Sequence, residues 1–217
     1  MYLLGISSLK FLSYSADLLL ALNVIVFSAY LFKLNTANKI FTVYLAVILI
    51  GEIISKIMIY NGYQNISMSH YYFILQFVFL SLFYLQLMKH VFQRRLIKTL
   101  LVVVIIFLTI QYYFYPELLF KFNITEVFIT SFLILTYTLF HFYNILNEKK
   151  EYYLINSGIL VYLFGSTIIF LSGNIILMIP TKMKLDNVAN YINIILYIFY
   201  QILVFSEFLN IKKKLNN

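Results

Sequence analysis

The sequence predicts an all-α fold, a polytopic membrane bundle of seven transmembrane helices. Only 11% of the 217 residues are charged and 63% are hydrophobic, whereas a soluble domain has about 25% charged residues. Together with a mean hydropathy of +0.90, so few charges point to lipid as the solvent of most of the surface. The apolar segments are about 20 residues long and lack the alternation of barrel strands. We therefore expect one transmembrane helical domain over residues 1–217.

Seven apolar segments are long enough to cross a bilayer as helices. They cover about 14–34, 40–60, 70–88, 97–115, 125–146, 153–179 and 187–209. The first three are ended by the polar stretches 35–38, 61–65 and 89–95. The fourth ends at Pro116 and the fifth before 147–151. The sixth carries no charge between 152 and 181, and the seventh is followed by a run of lysines.

The positive charges predict the orientation. The loops and chain end on one side of the predicted bundle carry eleven of the 16 lysines and arginines, and the other side carries four. Short cytoplasmic loops are rich in these residues, so we expect an outside N-terminus and a cytoplasmic C-terminus in the cell inner membrane. Residues 1–12 would then lie along the outer interface. The cytoplasmic basic face, expected to attract anionic lipid head groups, comprises Lys89, Arg94, Arg95, Lys98, Lys212, Lys213 and Lys214.

Polar side chains within the spans are the candidate functional residues, since ionisable groups are costly in hydrocarbon. The predicted orientation places them in the outer half of six spans. The assigned residues are Asp17, Glu52, Lys56, His70, Gln76, Asn174, Asn190 and Asn193; Glu126 lies at the same depth. Glu52 and Lys56 are four residues apart and share one helix face. The set predicts either a ligand-binding cavity that opens outward or a polar network that fixes helix packing.

Several classes of function are excluded or disfavoured. The chain has no cysteine, and its three histidines, at 70, 90 and 141, lie on different segments. Neither a His-Glu-x-x-His motif nor a Gly-x-Ser-x-Gly elbow occurs. We therefore expect no enzyme, no metal site and no cofactor. The net charge of +8 lies in short loops between apolar runs, so we expect no direct nucleic-acid binding.

Small residues recur every seven positions along the sixth segment, at Gly158, Gly165 and Ser172. Such a stripe lets a neighbouring helix approach closely. We expect it to serve packing within the chain rather than dimerisation, although the sequence is compatible with a homo-oligomer.

The chain resembles the small seven-helix membrane proteins of Bacteroidota-type bacteria. The resemblance rests on Glu52-Ile-Ile-Ser-Lys56, on His70-Tyr71 leading to Phe83-Tyr84, and on Tyr153-Leu-Ile-Asn-Ser-Gly158 with Tyr162 and Gly165. Gln76 departs from the acidic residue expected in the third segment. Genes of that family accompany sensor-kinase genes, so the resemblance implies a sensory or regulatory membrane subunit.

Three functional hypotheses follow. The first is a non-catalytic accessory protein of the inner membrane that acts through a partner protein such as a kinase. The second comes from a looser resemblance, in size and composition, to membrane proteins of type VI-B CRISPR loci, which modulate an RNA-targeting effector in antiviral defence. The third is a channel or pore, in which Asn23, Gln86, His141 and Gln201 would extend the polar line inward.

Overall fold

A computed structural model describes residues 2–146, 150–176 and 182–216, with side chains at 9–146, 150–172 and 188–215. The regular elements in these ranges are all helical. The long helices are α1 (Tyr2–Ala29), α2 (Thr36–Tyr60), α3 (Ile66–Leu87), α4 (Val91–Phe114), α5 (Ile124–Ile145), α6 (Tyr153–Ile176) and α7 (Lys182–Asn216). All seven contain a stretch long and apolar enough to cross a membrane. The seven-helix prediction is therefore confirmed, and the chain is a multi-pass membrane protein.

The boundaries of α1 are the main error of the sequence prediction. The helix begins at Tyr2 rather than near 14, so residues 2–12 continue into the span instead of forming a separate interfacial segment. It ends at Ala29, and a short 3₁₀ helix follows at Leu31–Lys33. The Asn35 side chain then accepts a hydrogen bond from the backbone N–H of Asn38 at 3.0 Å and caps the start of α2.

The polar ends of two other helices extend beyond the predicted apolar segments. Helix α4 begins at Val91 rather than 97, and α7 covers Lys182–Asn216 rather than 187–209. Lysine and arginine are good helix formers, so a helix does not stop where its apolar segment stops. Residues 177–179, predicted as the end of the sixth span, lie outside the described residues.

The chain divides into two compact units. The terminal unit consists of residues 1–26 and 152–217 and contains most of α1 together with α6 and α7. The central unit consists of residues 27–151 and contains α2 to α5. A single domain over residues 1–217 stays a prediction.

Helix α3 is the core of the central unit, because α2, α4 and α5 all pack against it. Its buried face presents Phe83 to Phe41 of α2, with ring centroids 5.2 Å apart. Tyr84 meets Tyr137 of α5 at 6.3 Å. Lipid tails are as apolar as these rings, so close packing rather than exclusion from water holds such helices together.

The short connections make the helices of the central unit alternate in direction, which gives the unit two different ends. Gly62, with φ of +77°, turns the chain from α2 into α3, and residues 88–90 join α3 to α4. One end, here called the basic end, carries exposed side chains of Lys33, Lys39, Lys89, Arg94, Arg95 and Lys98. The opposite end carries exposed Glu117 and Lys121.

In the terminal unit, α6 and α7 pack closely along the predicted stripe of small residues. A Cβ atom at Gly158 would lie 2.8 Å from the Tyr200 ring, and one at Gly165 would lie 2.5 Å from a methyl group of Leu196. The prediction that the stripe serves internal packing is confirmed for these two glycines.

Candidate functional site

The most distinctive polar feature of the central unit is centred on Glu126 in the first turn of α5. Asn123 caps this helix, because its side-chain oxygen accepts a hydrogen bond from the Glu126 backbone N–H at 3.3 Å. Thr130 donates its hydroxyl to the Glu126 carbonyl oxygen at 2.8 Å. These contacts fix the helix start, and the Glu126 side chain is 0% exposed. The N-terminus of α5 also favours a negative charge at this position.

Two further helices bring side chains to the Glu126 carboxylate. His70 Nδ1, at the start of α3, lies 2.8 Å from Glu126 Oε2. Tyr112, near the end of α4, donates its hydroxyl to the same oxygen. The Asn123 side-chain amide donates to the Tyr112 hydroxyl oxygen at 3.2 Å and to Gln111 Oε1 at 3.1 Å. We call His70, Tyr112, Asn123 and Glu126 the Glu126 cluster.

Two polar atoms of the Glu126 cluster are buried without a hydrogen-bond partner among the described residues, namely Glu126 Oε1 and His70 Nε2. His70 is 4% exposed, so both members of the pair are shielded from solvent. Tyr112, which bonds Glu126, is half-buried and lies in the last turn of α4. Buried polar atoms are normally satisfied, and unsatisfied ones call for an explanation.

The chemistry open to the Glu126 cluster is proton or hydrogen-bond exchange at Glu126 and His70. The pair has no net charge either as an ion pair or as two neutral groups, and loss of one proton leaves a buried negative charge. An uncompensated charge in such an environment is costly. Within the described ranges, no three histidine, aspartate or glutamate side chains are grouped as metal ligands.

The other predicted site residues of the central unit make different contacts. Gln76 is buried on α3 and donates its amide to the hydroxyl oxygens of Tyr44 at 3.2 Å and Tyr72 at 3.4 Å. Glu52 and Lys56 are half-buried on α2, one turn apart. Among the assigned residues whose side chains are described, His70 alone contacts Glu126.

The remaining assigned residues belong to the terminal unit. Asp17 is half-buried on α1, Asn190 is exposed on α7, and Asn193 is half-buried with Oδ1 unpartnered among the described residues. The side chain of Asn174 lies outside the described residues. A shared cavity of all eight residues stays a prediction.

Sequence reasoning missed two members of the Glu126 cluster and left a third without a role. The sequence predicts Glu126 at the same depth as the assigned site residues, but Tyr112 and Asn123 were not among those residues. The spacing of Asn123 and Glu126 matches a helix N-cap followed by an acid three residues later, and this pattern marks a helix start in sequence. Tyr112 carries no comparable signal, because it is one of 20 tyrosines.

The residues of the predicted pore line either form hydrogen bonds within their own unit or are exposed. In the terminal unit, the Asn23 amide donates to the backbone carbonyl of Gln201 at 2.9 Å and to its side-chain oxygen at 2.8 Å. In the central unit, His141 Nε2 donates to the Glu151 carbonyl oxygen at 3.0 Å, and Gln86 is exposed. These contacts give no support to a continuous polar path through either unit.

A second buried acid, Glu207, lies in the terminal unit at the start of α6. Its Oε2 accepts a hydrogen bond from the backbone N–H of Leu154 at 2.9 Å, and the N–H groups of Tyr152 and Ile155 also donate to this carboxylate. The first N–H groups of a helix have no partner within the helix. Glu207 of α7 therefore caps α6 and ties the two helices together.

Six of the seven residues of the predicted basic face are exposed. Lys89, Arg94, Arg95 and Lys98 lie at the basic end of the central unit. The other three lysines lie in the last turns of α7 in the terminal unit, where Lys212 is half-buried and Lys213 and Lys214 are exposed.

Comparisons of the chain with protein-family models, with curated proteins and with solved structures find no match.

Proposed function

We propose that this chain is a regulatory membrane protein, without catalysis of its own, that acts through a partner protein. The observation that carries the proposal is the difference between the two ends of the central unit. One end holds the buried Glu126 cluster, and the other is the exposed basic end. Helix α3 leads from His70 to the connection 88–90, which carries Lys89, and α4 leads from Arg94 to Tyr112. The same two helices therefore connect a candidate input site to a candidate output surface.

Rigid helices give the two ends a means of communication. The seventeen helical steps from His70 to Leu87, the last residue of α3, correspond to about 26 Å at the helical rise. A proton or ligand that changes the bonds among His70, Tyr112 and Glu126 changes how α3, α4 and α5 are held together. Packed helices respond by shifts of about 1–2 Å, which move their far ends as well. In the proposal, such a shift rearranges the basic end.

The proposal places the basic end on the cytoplasmic side of the inner membrane, following the positive-inside rule. There the exposed lysines and arginines would contact anionic lipid head groups and an acidic surface of a soluble partner. The first resemblance favours a sensor kinase as this partner. The second resemblance keeps an RNA-targeting CRISPR effector as the alternative.

The test is purification of the tagged protein from native cells in mild detergent, with quantitative mass spectrometry of the proteins that accompany it. We expect one soluble protein in stoichiometric amount, and we expect Arg94→Gln/Arg95→Gln to reduce its recovery several-fold. Lys121→Gln, at the opposite end of the same unit, is the control and should retain the partner. Recovery of the chain alone, or only as a homo-oligomer, would contradict the proposal.

A further variant tests the input site separately from the output surface. Glu126→Gln removes the ionisable carboxylate while nearly preserving its volume. We expect the purified complex to keep its partner but to change the partner's activity. Equal activity with wild type and Glu126→Gln would remove the Glu126 cluster from the mechanism.

A further inference from the structure

The terminal unit contains a groove at the junction of α6 and α7. The groove has a volume of about 470 Å³ and is lined by Leu154, Ser206, Leu209, Asn210, Lys212 and Lys213. Leu154 lies at the start of α6, and the other five residues lie in the last turns of α7. None of these residues belongs to the Glu126 cluster or to the basic end.

The groove residues of α7 form a regular stripe. Ser206, Leu209, Asn210 and Lys213 follow the spacing i, i+3, i+4 and i+7, which places them on one helix face. The seven steps from Ser206 to Lys213 span about 10 Å at the helical rise. Along this distance the lining of α7 changes from the Ser206 hydroxyl and the Leu209 side chain to the Asn210 amide and then to the lysine ammonium groups, and Leu154 of α6 adds a second leucine.

The position of the groove relative to the apolar spans matches a membrane interface. The span of α6 begins at Tyr153, next to Leu154, and the span of α7 ends at Leu215 and includes the three lysines in its last turn. The head-group layer occupies roughly 5–8 Å on each side of the hydrocarbon. In a bilayer we therefore expect the leucines at the edge of the hydrocarbon and the long lysine side chains extended to head-group level.

The six residues that line the groove include no acidic side chain that could compete with an anionic ligand for the lysines. Glu207 is the nearest acid along α7, and its carboxylate accepts the backbone N–H groups at the start of α6. Leu209 is 44% exposed, so an apolar ligand segment can reach it. The groove therefore combines apolar contact, hydrogen-bonding side chains and positive charge. These correspond to the acyl chain, the ester oxygens and the phosphate of a phospholipid.

We propose that this groove binds one phospholipid with an anionic head group, whose phosphate contacts Lys212 and Lys213 and whose acyl chain lies against Leu154 and Leu209. The site goes beyond the proposed regulatory function and does not depend on it. A uniformly basic surface would attract such lipids through charge alone, whereas the groove also requires space beside Leu209.

The test is native mass spectrometry of the full chain, released from nanodiscs that contain phosphatidylcholine with added phosphatidylglycerol. We expect one retained phosphatidylglycerol molecule. Lys212→Gln/Lys213→Gln should weaken retention roughly ten- to thirty-fold, since each lysine near an anionic surface accounts for about a five-fold change. Leu209→Trp fills the groove without a change of charge and should abolish retention.

Two controls make the outcome decisive. Lys10→Gln/Lys121→Gln removes two exposed charges outside the groove and the basic end and should leave retention unchanged, and Ser206→Phe provides a second groove-filling variant should Leu209→Trp not fold. Retention unaffected by both groove-filling variants, or equal losses from the two pairs of lysine substitutions, would show general surface attraction and overturn the site. Displacement of the lipid by soluble glycerol phosphate at equal concentration would also overturn it, because a water-soluble anion would then suffice.

Discussion

Glu126 of the central unit and Glu207 of the terminal unit are both buried acids beside a helix N-terminus, at 0% and 5% exposure. They differ in what holds them. Glu207 accepts hydrogen bonds from backbone N–H groups of α6. Glu126 meets the side chains of His70 and Tyr112, and its second oxygen has no partner among the described residues.

The comparison teaches that burial of an acid in a membrane protein does not by itself mark a functional site. Backbone N–H groups do not change their charge over the ordinary pH range, so the partners of Glu207 give it a structural role. A histidine can change its charge in that range, and an unpartnered carboxylate oxygen can accept a new hydrogen bond. The difference supports a structural role for Glu207 and the input role that we propose for Glu126.

The largest expected loss of stability follows from substitution of Glu207. Glu207→Ala should lower the free energy of unfolding by about 2–4 kcal/mol, because several N–H groups at the start of α6 lose a charged acceptor. Unfolding in mixed micelles of mild detergent and sodium dodecyl sulfate, followed by circular dichroism, measures the change. Ser206→Ala is the neighbouring control; its hydroxyl bonds only the Ile202 carbonyl of its own helix, at 2.9 Å. A loss no larger than that of Ser206→Ala would remove the capping role.

The next effect tests the pairing of Glu126 with His70. Glu126→Gln and His70→Gln should each cost about 2 kcal/mol, and the double variant should cost about 1–2 kcal/mol less than the sum, because each single variant leaves a buried group without its partner. The same unfolding assay supplies the double-mutant cycle. Additive losses would mean that the two side chains do not interact in the membrane.

A packing variant probes the terminal unit without touching either acid. Gly165→Val should cost about 1–2 kcal/mol, because the added side chain meets the Leu196 methyl group, which can yield only in part. Gly51→Ala is the control, because no atom lies within 4 Å of a Cβ at that position in α2. We expect Gly51→Ala to be neutral or slightly stabilising. Equal effects of the two substitutions would contradict the close approach of α6 and α7.

The smallest expected effect concerns the hydroxyl group of Tyr112. Tyr112→Phe removes one hydrogen bond to Glu126 and should cost about 0.5–1.5 kcal/mol. Tyr113→Phe is the matched control on the same helix, because Tyr113 is 80% exposed. Indistinguishable unfolding of the two variants would remove Tyr112 from the Glu126 cluster.

The number of helices was predictable because hydrocarbon thickness imposes segment length directly on the sequence. The end of α1 was not, because apolar residues such as Leu31 and Phe32 continue past the point where the helix stops. The chain turns through the 3₁₀ helix Leu31–Lys33 before Asn35 caps α2, and a hydropathy average registers neither feature.

The sequence predicts where each polar residue lies along its helix, but it does not predict the face that each residue presents. His70 and Gln76 are six residues apart on α3, and their partners lie on different helices, Glu126 on α5 for one and Tyr44 on α2 for the other. Helix rotation and tilt come from packing between helices. The composition of the Glu126 cluster therefore emerges only in three dimensions.

Hydrogen–deuterium exchange of wild type and Glu126→Gln in nanodiscs tests most directly whether the Glu126 cluster communicates with the basic end. The account predicts altered exchange at residues 88–95, which follow the end of α3 about 26 Å from His70, in addition to changes around the substitution. Glu207→Gln is the control and should change exchange at the start of α6 while leaving residues 88–95 as in wild type. Changes in Glu126→Gln confined to the neighbourhood of residue 126 would contradict the account.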